Sequence, residues 1–350
     1  MDNTKKIFRD IKADGMLTSA SDLRRYLTGF PSSFGFVYTD AQESIFFTDP
    51  RYAEAAKAAL QNEYISVSVA KTTDSVLDYI KSKKVRRLAV PLDRLTVSEQ
   101  ENLLRHRFKL IDSSPVFIQA MSVKNEEEIK CIRRACEIAQ AAYASLLGEL
   151  REGLTENEVA GYLEYLMRKG GAEDRSFETI VAFGVNSSVP HHAAGQDKLK
   201  KGSPVLIDFG CKYGGYCSDM TRTIWFGGKP DEEFSAVYEA VYSAHEAVMQ
   251  GVHPGITGRQ ADALARGFLA RRNLDKFFTH SLGHGIGINI HEFPTLGPNS
   301  EAVLKDGMVF SNEPGVYFEG KFGIRIEDTV RLENGTVKSF MTTDKKLTVL

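Results

Sequence analysis

Two short stretches of this sequence each hold a pair of acids in apolar, strand-like company. In the first, Val205-Leu206-Ile207-Asp208-Phe209-Gly210 runs toward a turn around Tyr213-Gly214-Gly215, and Ser218-Asp219-Met220-Thr221 returns from it. With Tyr213-Gly214 as the loop the two aspartates would pair directly; with Gly214-Gly215 they become diagonal neighbours. Side chains alternate along a strand with period two, so either register leaves both on one face. In the second stretch, 308–318 runs out, Glu319-Gly320-Lys321 turns and 324–332 returns, which places Glu313 and Glu327 symmetrically about Gly320, with Pro314 expected to bulge the outgoing strand.

Like charges facing one another in a sheet repel. Surface solvation would relieve that, but Asp208 follows Val205-Leu206-Ile207 and Glu327 follows Ile324-Arg325-Ile326, which is interior company. Four carboxylates carry four negative charges, and two divalent cations carry four positive ones. Imidazole is close by in the sequence pattern: five of the eight histidines fall in two clusters, His191-His192 and His280 to His291, the second in a run whose glycines admit close backbone approach. Oxygen-rich ligation with little nitrogen suits manganese, cobalt, iron or zinc better than copper. A centre of this kind lowers the pKa of a shared water and polarises a carbonyl, which points to hydrolysis, and the remaining histidines and Arg325 are the available donors to a tetrahedral oxyanion.

These hairpins need elements to hold them, and the sequence supplies the same set twice. A helix from Glu126 to about Leu150 ends at Gly153-Leu154-Thr155 and a second follows through Leu166; a helix over 231–252 ends at Gly255-Ile256-Thr257 and another follows through Arg271. Both threonines are placed to cap the second helix, and each helix pair leads into Gly-rich strands. A duplicated domain has a pseudo-twofold seam, a natural place for a shared site. Ahead of it, strands at 15–18, 35–38, 65–69 and 88–91 alternate with helical spacing over 51–60, 74–81 and 96–107, which predicts an α/β domain ending near Met121 to Asn125.

Length and composition fit this plan. A chain of 350 residues exceeds a single core, and 42% hydrophobic with 26% charged residues is ordinary for a folded protein. A net charge of -2 offers no field for nucleic acid. The first 16 residues are too charged for a secretory signal, and no run is long and apolar enough for a spanning helix, so a cytoplasmic protein without a membrane partner is expected. The four cysteines are too scattered for a disulfide framework or a zinc finger, and read as reduced core thiols. Gly283-x-Gly285-x-Gly287 lacks the spacing of a dinucleotide loop.

At these residues the sequence resembles the pita-bread metallopeptidases, the group of Xaa-Pro dipeptidases (prolidases), aminopeptidase P and methionine aminopeptidases. The matching pieces are Ile207-Asp208-Phe209-Gly210, Ser218-Asp219-Met220-Thr221-Arg222-Thr223, Gly283-His284-Gly285-Ile286-Gly287 with His291-Glu292, Asn312-Glu313-Pro314-Gly315 and Gly323-Ile324-Arg325-Ile326-Glu327-Asp328. The resemblance implies an α+β pita-bread catalytic domain with duplicated αα-β-hairpin halves over 123–350, preceded by a smaller α/β creatinase-like domain over 1–122, where Arg25-Tyr26-Leu27-Thr28-Gly29-Phe30 resembles the signature of the proline-specific branch. It implies two divalent ions, manganese or cobalt before zinc or iron, held by Asp208, Asp219, His284, Glu313 and Glu327, with Asp219 and His284 serving mainly one ion and Asp208 bridging. It implies substrate contact by His191 with His291 as its partner, proton handling by Glu313, and Arg325 orienting Glu327. The implied activity is attack of a metal-bridging hydroxide on an Xaa-Pro bond, in a homodimer. The short chain and compact N-terminal domain lean toward a dipeptidase, with aminopeptidase P acting on longer peptides as the alternative. Methionine aminopeptidases lack the N-terminal domain, creatinase-like amidinohydrolases do not share the intact metal set, and a noncatalytic peptide-binding module of this fold would be expected to have lost ligands.

Overall fold

Two capping boxes open corresponding helices of the duplicated part. Thr155 accepts from Glu158 N while the Glu158 carboxylate returns to Thr155 N, at the head of the Glu156–Lys169 helix. Thr257 and Gln260 repeat the arrangement at the head of Gly258–Ala270. Such reciprocal caps satisfy two of the orphan donors that every helix start leaves. The long helices before them, Glu126–Leu147 and Glu232–Gly251, complete the two pairs. Each pair buries its own apolar face. Ile132, Ala139 and Leu163 pack with Ile207 and Phe209 in one core, and Val241, Ala265 and Phe234 pack with Phe310, Ile324 and Val330 in the other.

The computed structural model describes residues 3–61 and 64–350, and the chain divides into two compact units, Met1–Met121 and Ser122–Leu350. In the second unit the central sheet runs, by strand, Glu292–Leu296, Gly283–Gly285, Val309–Asn312, Glu327–Glu333, Met220–Phe226, Ser203–Phe209, Ile180–Phe183, with Thr336–Ser339 beside Glu327–Glu333. The halves therefore meet in the middle of this sheet, where Met220 pairs with Asp328 and Thr221 with Glu327.

The hairpin registers are those that decide where the acids go. Tyr213 pairs with Tyr216 across a two-residue Gly214-Gly215 loop, both glycines at positive φ, and the same register carries on to Asp208 opposite Thr221. Asp219 is thus the diagonal neighbour of Asp208. In the second hairpin Gly315 pairs with Arg325 and Asn312 with Asp328, a single register that sets Glu313 across from Glu327. Pro314 lies where the ladder breaks, so that Gly315–Phe318 and Phe322–Arg325 form a separate two-stranded sheet. Gly210 is required by packing: a Cβ there would lie 1.9 Å from the Ser218 carbonyl oxygen. Gly210→Ala is expected to cost about 3 kcal/mol or more, since backbone has to move; urea unfolding of the variant checks this, and a midpoint equal to wild type would contradict it.

The first unit is a six-stranded mixed sheet in the order Ser66–Val69, Ser44–Thr48, Phe36–Thr39, Gly15–Thr18, Arg87–Val90, Lys109–Asp112, with helices including Ser21–Thr28, Pro50–Leu60, Thr73–Ser82 and Val97–Arg105. The sequence pattern missed Ser44–Thr48 and Lys109–Asp112. The former is buried at every position and has no alternation to read, and the latter is a four-residue edge strand. Among the described residues no helix is long and apolar enough to cross a membrane.

Candidate metal centre

The two hairpins bring all four acids and one histidine of the second cluster together. One ligand atom each from Asp219, His284 and Glu327 lie within 4.8 Å of one another. His284 Nε2 is 3.6 Å from Asp219 Oδ2 and 3.3 Å from Glu313 Oε1. Asp208 faces the same group from the neighbouring strand, and Asp208, Asp219 and Glu327 are 9%, 4% and 1% exposed. Ser311 joins the ligand strands: its hydroxyl donates to Glu313 Oε1 (2.9 Å) and accepts from His284 N (3.0 Å). Thr329 does the same across the seam, accepting from Asp219 N and donating to Asp219 O.

Arg325 departs from expectation. It does not bond Glu327 but holds Asp208, with Nη2 donating to Asp208 Oδ2 at 2.6 Å, Nη1 to Tyr317 Oη at 2.7 Å and Nε to Thr221 Oγ1 at 3.1 Å. Glu327 is reached one step later, through the Thr221 hydroxyl, which donates to its Oε2 at 2.6 Å. The reason is the seam: Thr221 stands between Asp208 on one side and Glu327 on the other, and the guanidinium extends past it to the farther acid. Tyr317 and Ser311 were not singled out in the sequence; His280 stood there only among the remaining histidines offered as donors, and Thr221 only as part of a motif. His280 Nε2 lies 2.8 Å from Tyr317 Oη and its Nδ1 3.8 Å from Glu313 Oε2. A period-two pattern of Asp219, Thr221 and Thr223 was there to be read as one polar face; Tyr317 had no such signal.

The ring of His291 packs edge-on against His284 with centroids 4.3 Å apart, and His191 is near enough to influence the titration of both His280 and His291. Both His191 and His291 are exposed, as a substrate contact requires. Behind His291, the adjacent Glu292 is held by buried Lys124 Nζ at 3.0 Å and by Asn289 N at 3.0 Å.

The donor set fits divalent cations. Asp208 Oδ1 and Asp219 Oδ1 are buried with no hydrogen-bond partner, which is costly for a carboxylate unless a cation takes the lone pairs. Arg325 amends the charge balance, because it leaves the four acids a net of three negative charges. Two divalent ions would exceed that by one, leaving room for one anionic ligand. Burial pushes Asp219 well above the usual carboxylate range, and the charges of Glu327, Asp208 and Glu313 push it further; Glu327 is raised by burial and then by Glu313 and Asp208. Glu313 goes the other way: burial alone would raise it, but the His284 hydrogen bond and the nearby cationic groups bring it down to about 2.

The sign of the pH effect follows. Asp219 and Glu327 bind protons more tightly folded than unfolded, so their contribution is fully present below the unfolded value of about 4 and is lost as pH rises through the folded values. Protein treated with a chelator is expected to lose unfolding free energy as pH is raised from about 5 to 8, and metal-saturated protein to lose much less. Parallel denaturation curves in the two conditions across that range would contradict this.

Residues 130–334 match metallopeptidase family M24, and residues 1–121 match the creatinase/prolidase N-terminal domain. The chain belongs to metallopeptidase family M24. The enzyme therefore has a creatinase-type N-terminal domain followed in sequence by a pita-bread catalytic domain, and divalent metal dependence comes with the family. It is similar to the Xaa-Pro dipeptidase of Pyrococcus furiosus, 35% identical over 320 residues that cover 91% of this chain and 90% of the relative. Among solved structures it is similar to an Xaa-Pro dipeptidase from Bacillus anthracis (TM-score 0.94, 34% identity, covering 99% of this chain and 98% of the other). It is similar, at the same sequence identity, to an X-Pro aminopeptidase from Thermotoga maritima (TM-score 0.92, 34% identity, covering 99% and 100%).

Proposed function

We propose that the enzyme hydrolyses the bond between a first residue and a following proline with two divalent ions, manganese or cobalt foremost, and that it acts as a dipeptidase on Xaa-Pro. The observation that carries this reading is the gathering of Asp219, His284 and Glu327 within 4.8 Å, beside two further acids and two unpartnered buried carboxylate oxygens. Asp208, Asp219, His284, Glu313 and Glu327 would hold the ions. Bound there, the ions would acidify a shared water and polarise the scissile carbonyl.

The chain's own groups do the remaining work. Glu313, fixed through Oε1 by Ser311 and His284, takes the proton of the attacking water and passes it to the departing proline nitrogen. Burial and the neighbouring His284 lower the pKa of His291, so that it stays a neutral hydrogen-bonding group near pH 7 beside His191, and the two hold the substrate carbonyl as it becomes tetrahedral. Arg325 keeps Asp208 and Tyr317 in place. The names of the Pyrococcus furiosus and Bacillus anthracis proteins support proline specificity and the dipeptidase form. The Thermotoga maritima structure supports an aminopeptidase acting on longer peptides at the same sequence identity, and it is the second reading. The four cysteines, none of them in a disulfide, accord with a cytoplasmic enzyme, and a homodimer is the expected acting form, to be checked by light scattering.

The deciding assay sets Xaa-Pro beside Xaa-Pro-Yaa and Xaa-Ala with added manganese or cobalt. A dipeptidase should show kcat/KM about tenfold or more in favour of Xaa-Pro over the tripeptide. The opposite ratio moves the enzyme to the aminopeptidase class, and equal cleavage of Xaa-Ala removes proline specificity altogether.

A further inference from the structure

Glu156, the first residue of the Glu156–Lys169 helix, is 0% exposed, and the acids of the metal centre give no account of it. Its carboxylate collects four donors. Oε1 accepts from Phe183 N at 2.8 Å and Asn186 Nδ2 at 2.9 Å; Oε2 accepts from Gly195 N at 2.9 Å and lies 2.8 Å from His192 Nε2. All four donors belong to the segment 183–195, which leaves the Ile180–Phe183 strand and carries Pro190-His191-His192. A buried carboxylate is costly unless its lone pairs are met, and here they are met by one stretch of chain, with the helix start adding its favourable dipole.

The consequence falls on His191. Its following neighbour is tied to Glu156, and the carbonyl of its preceding neighbour, Pro190, accepts from Arg325 Nη1 at 3.4 Å. The His191 main chain is therefore held from both sides, once by a group on the metal centre and once by a carboxylate outside it. The bond to an acceptor also selects the His192 tautomer with its proton on Nε2. We propose that Glu156 is a positioning residue for the reaction: by gathering Phe183, Asn186, His192 and Gly195 it sets the orientation in which His191 meets the substrate. This rests on the reading of His191 as a substrate contact.

The test is a double-mutant cycle on the metal-loaded enzyme with an Xaa-Pro dipeptide, reading kcat, KM, bound metal and melting temperature. Glu156→Gln keeps the size but replaces an acceptor with a donor facing donors, and kcat is expected to fall about tenfold or more with metal stoichiometry retained, since small displacements of a catalytic contact carry effects of this order. In a His191→Ala background the same change should cost less than about twofold, because the group it positions is gone. If Glu156→Gln does not fold, Asn186→Ala breaks one of the four arms only and should show the same loss of additivity with a smaller fall. Equal falls in both backgrounds, or a lower melting temperature with kcat unchanged, overturn the proposal while leaving the role of His191 standing. A His191→Ala enzyme with full kcat overturns both.

Discussion

Glu327→Gln should abolish turnover while making the chelator-treated protein more stable at pH 8. Glu327 is 1% exposed and shares its cluster with Asp219, so the glutamine keeps the shape and the Thr221 hydrogen bond but removes an anionic ligand. Changes to residues that merely support metal ligands already cost about 10- to 100-fold, so loss of a ligand is expected to exceed that. Stability goes the other way because a buried, like-charged neighbour is removed, and a gain of about 1–2 kcal/mol is in the range of such relief. The measurements are kcat/KM with manganese or cobalt and urea unfolding in chelator; Asp219→Asn should behave alike. Retained turnover would sink the ligand assignment. A chelated variant less stable than wild type would mean that other interactions of the Glu327 carboxylate outweigh its repulsion by the neighbouring acids.

Arg325→Met is expected to lower both quantities. The guanidinium is 3% exposed and serves Asp208, Tyr317, Thr221 and Pro190 at once, and its loss leaves Asp208 buried without its counter-charge. Removing one partner of a buried pair costs about 3–5 kcal/mol. With Asp208 and Tyr317 both released, kcat/KM should fall by about 100-fold or more. Arg325→Lys should not rescue it, because one ammonium cannot reproduce a planar fork directed at several acceptors. Unfolding in chelator separates this variant from Glu327→Gln by sign. If lysine restores full activity, the fork geometry is irrelevant and only the charge counts.

Much of the centre could be read because a hairpin is a local object. Once a turn is located, the period-two rule fixes which residues share a face, and Asp208 with Asp219 and Glu313 with Glu327 follow from Gly214-Gly215 and Gly320 alone. The Gly-Gly loop is itself the stronger turn signal, since both residues adopt positive φ. The repeated caps at Thr155 and Thr257 were legible for the same reason, each lying within three residues of its partner. What could not be read depends on pairing between halves. Arg325 and Glu327 stand two apart in sequence, roughly 7 Å along an extended chain, which suggests a direct contact. The pairing of Thr221 with Glu327 sends the arginine to Asp208 instead. Tyr317 and Glu156 were missed for a different reason: each finds partners within its own half, but His280 is 37 residues from Tyr317 and the donors to Glu156 are 27 to 39 residues away, beyond what local spacing can show.

The place where the two halves join in the sheet has a mechanical meaning. Their shared ladder consists of Met220 with Asp328 and Thr221 with Glu327, so these backbone stitches between the repeats lie within two residues of the reactive acids. A cation gripping Asp219 from one repeat and Glu327 from the other would act as a rivet through that suture. Severing the polypeptide between the repeats would then leave two fragments that share apolar packing, with Ile286 and Val309 seated beside Ile207 and Phe209, but whose reassembly should tighten when the ion is supplied.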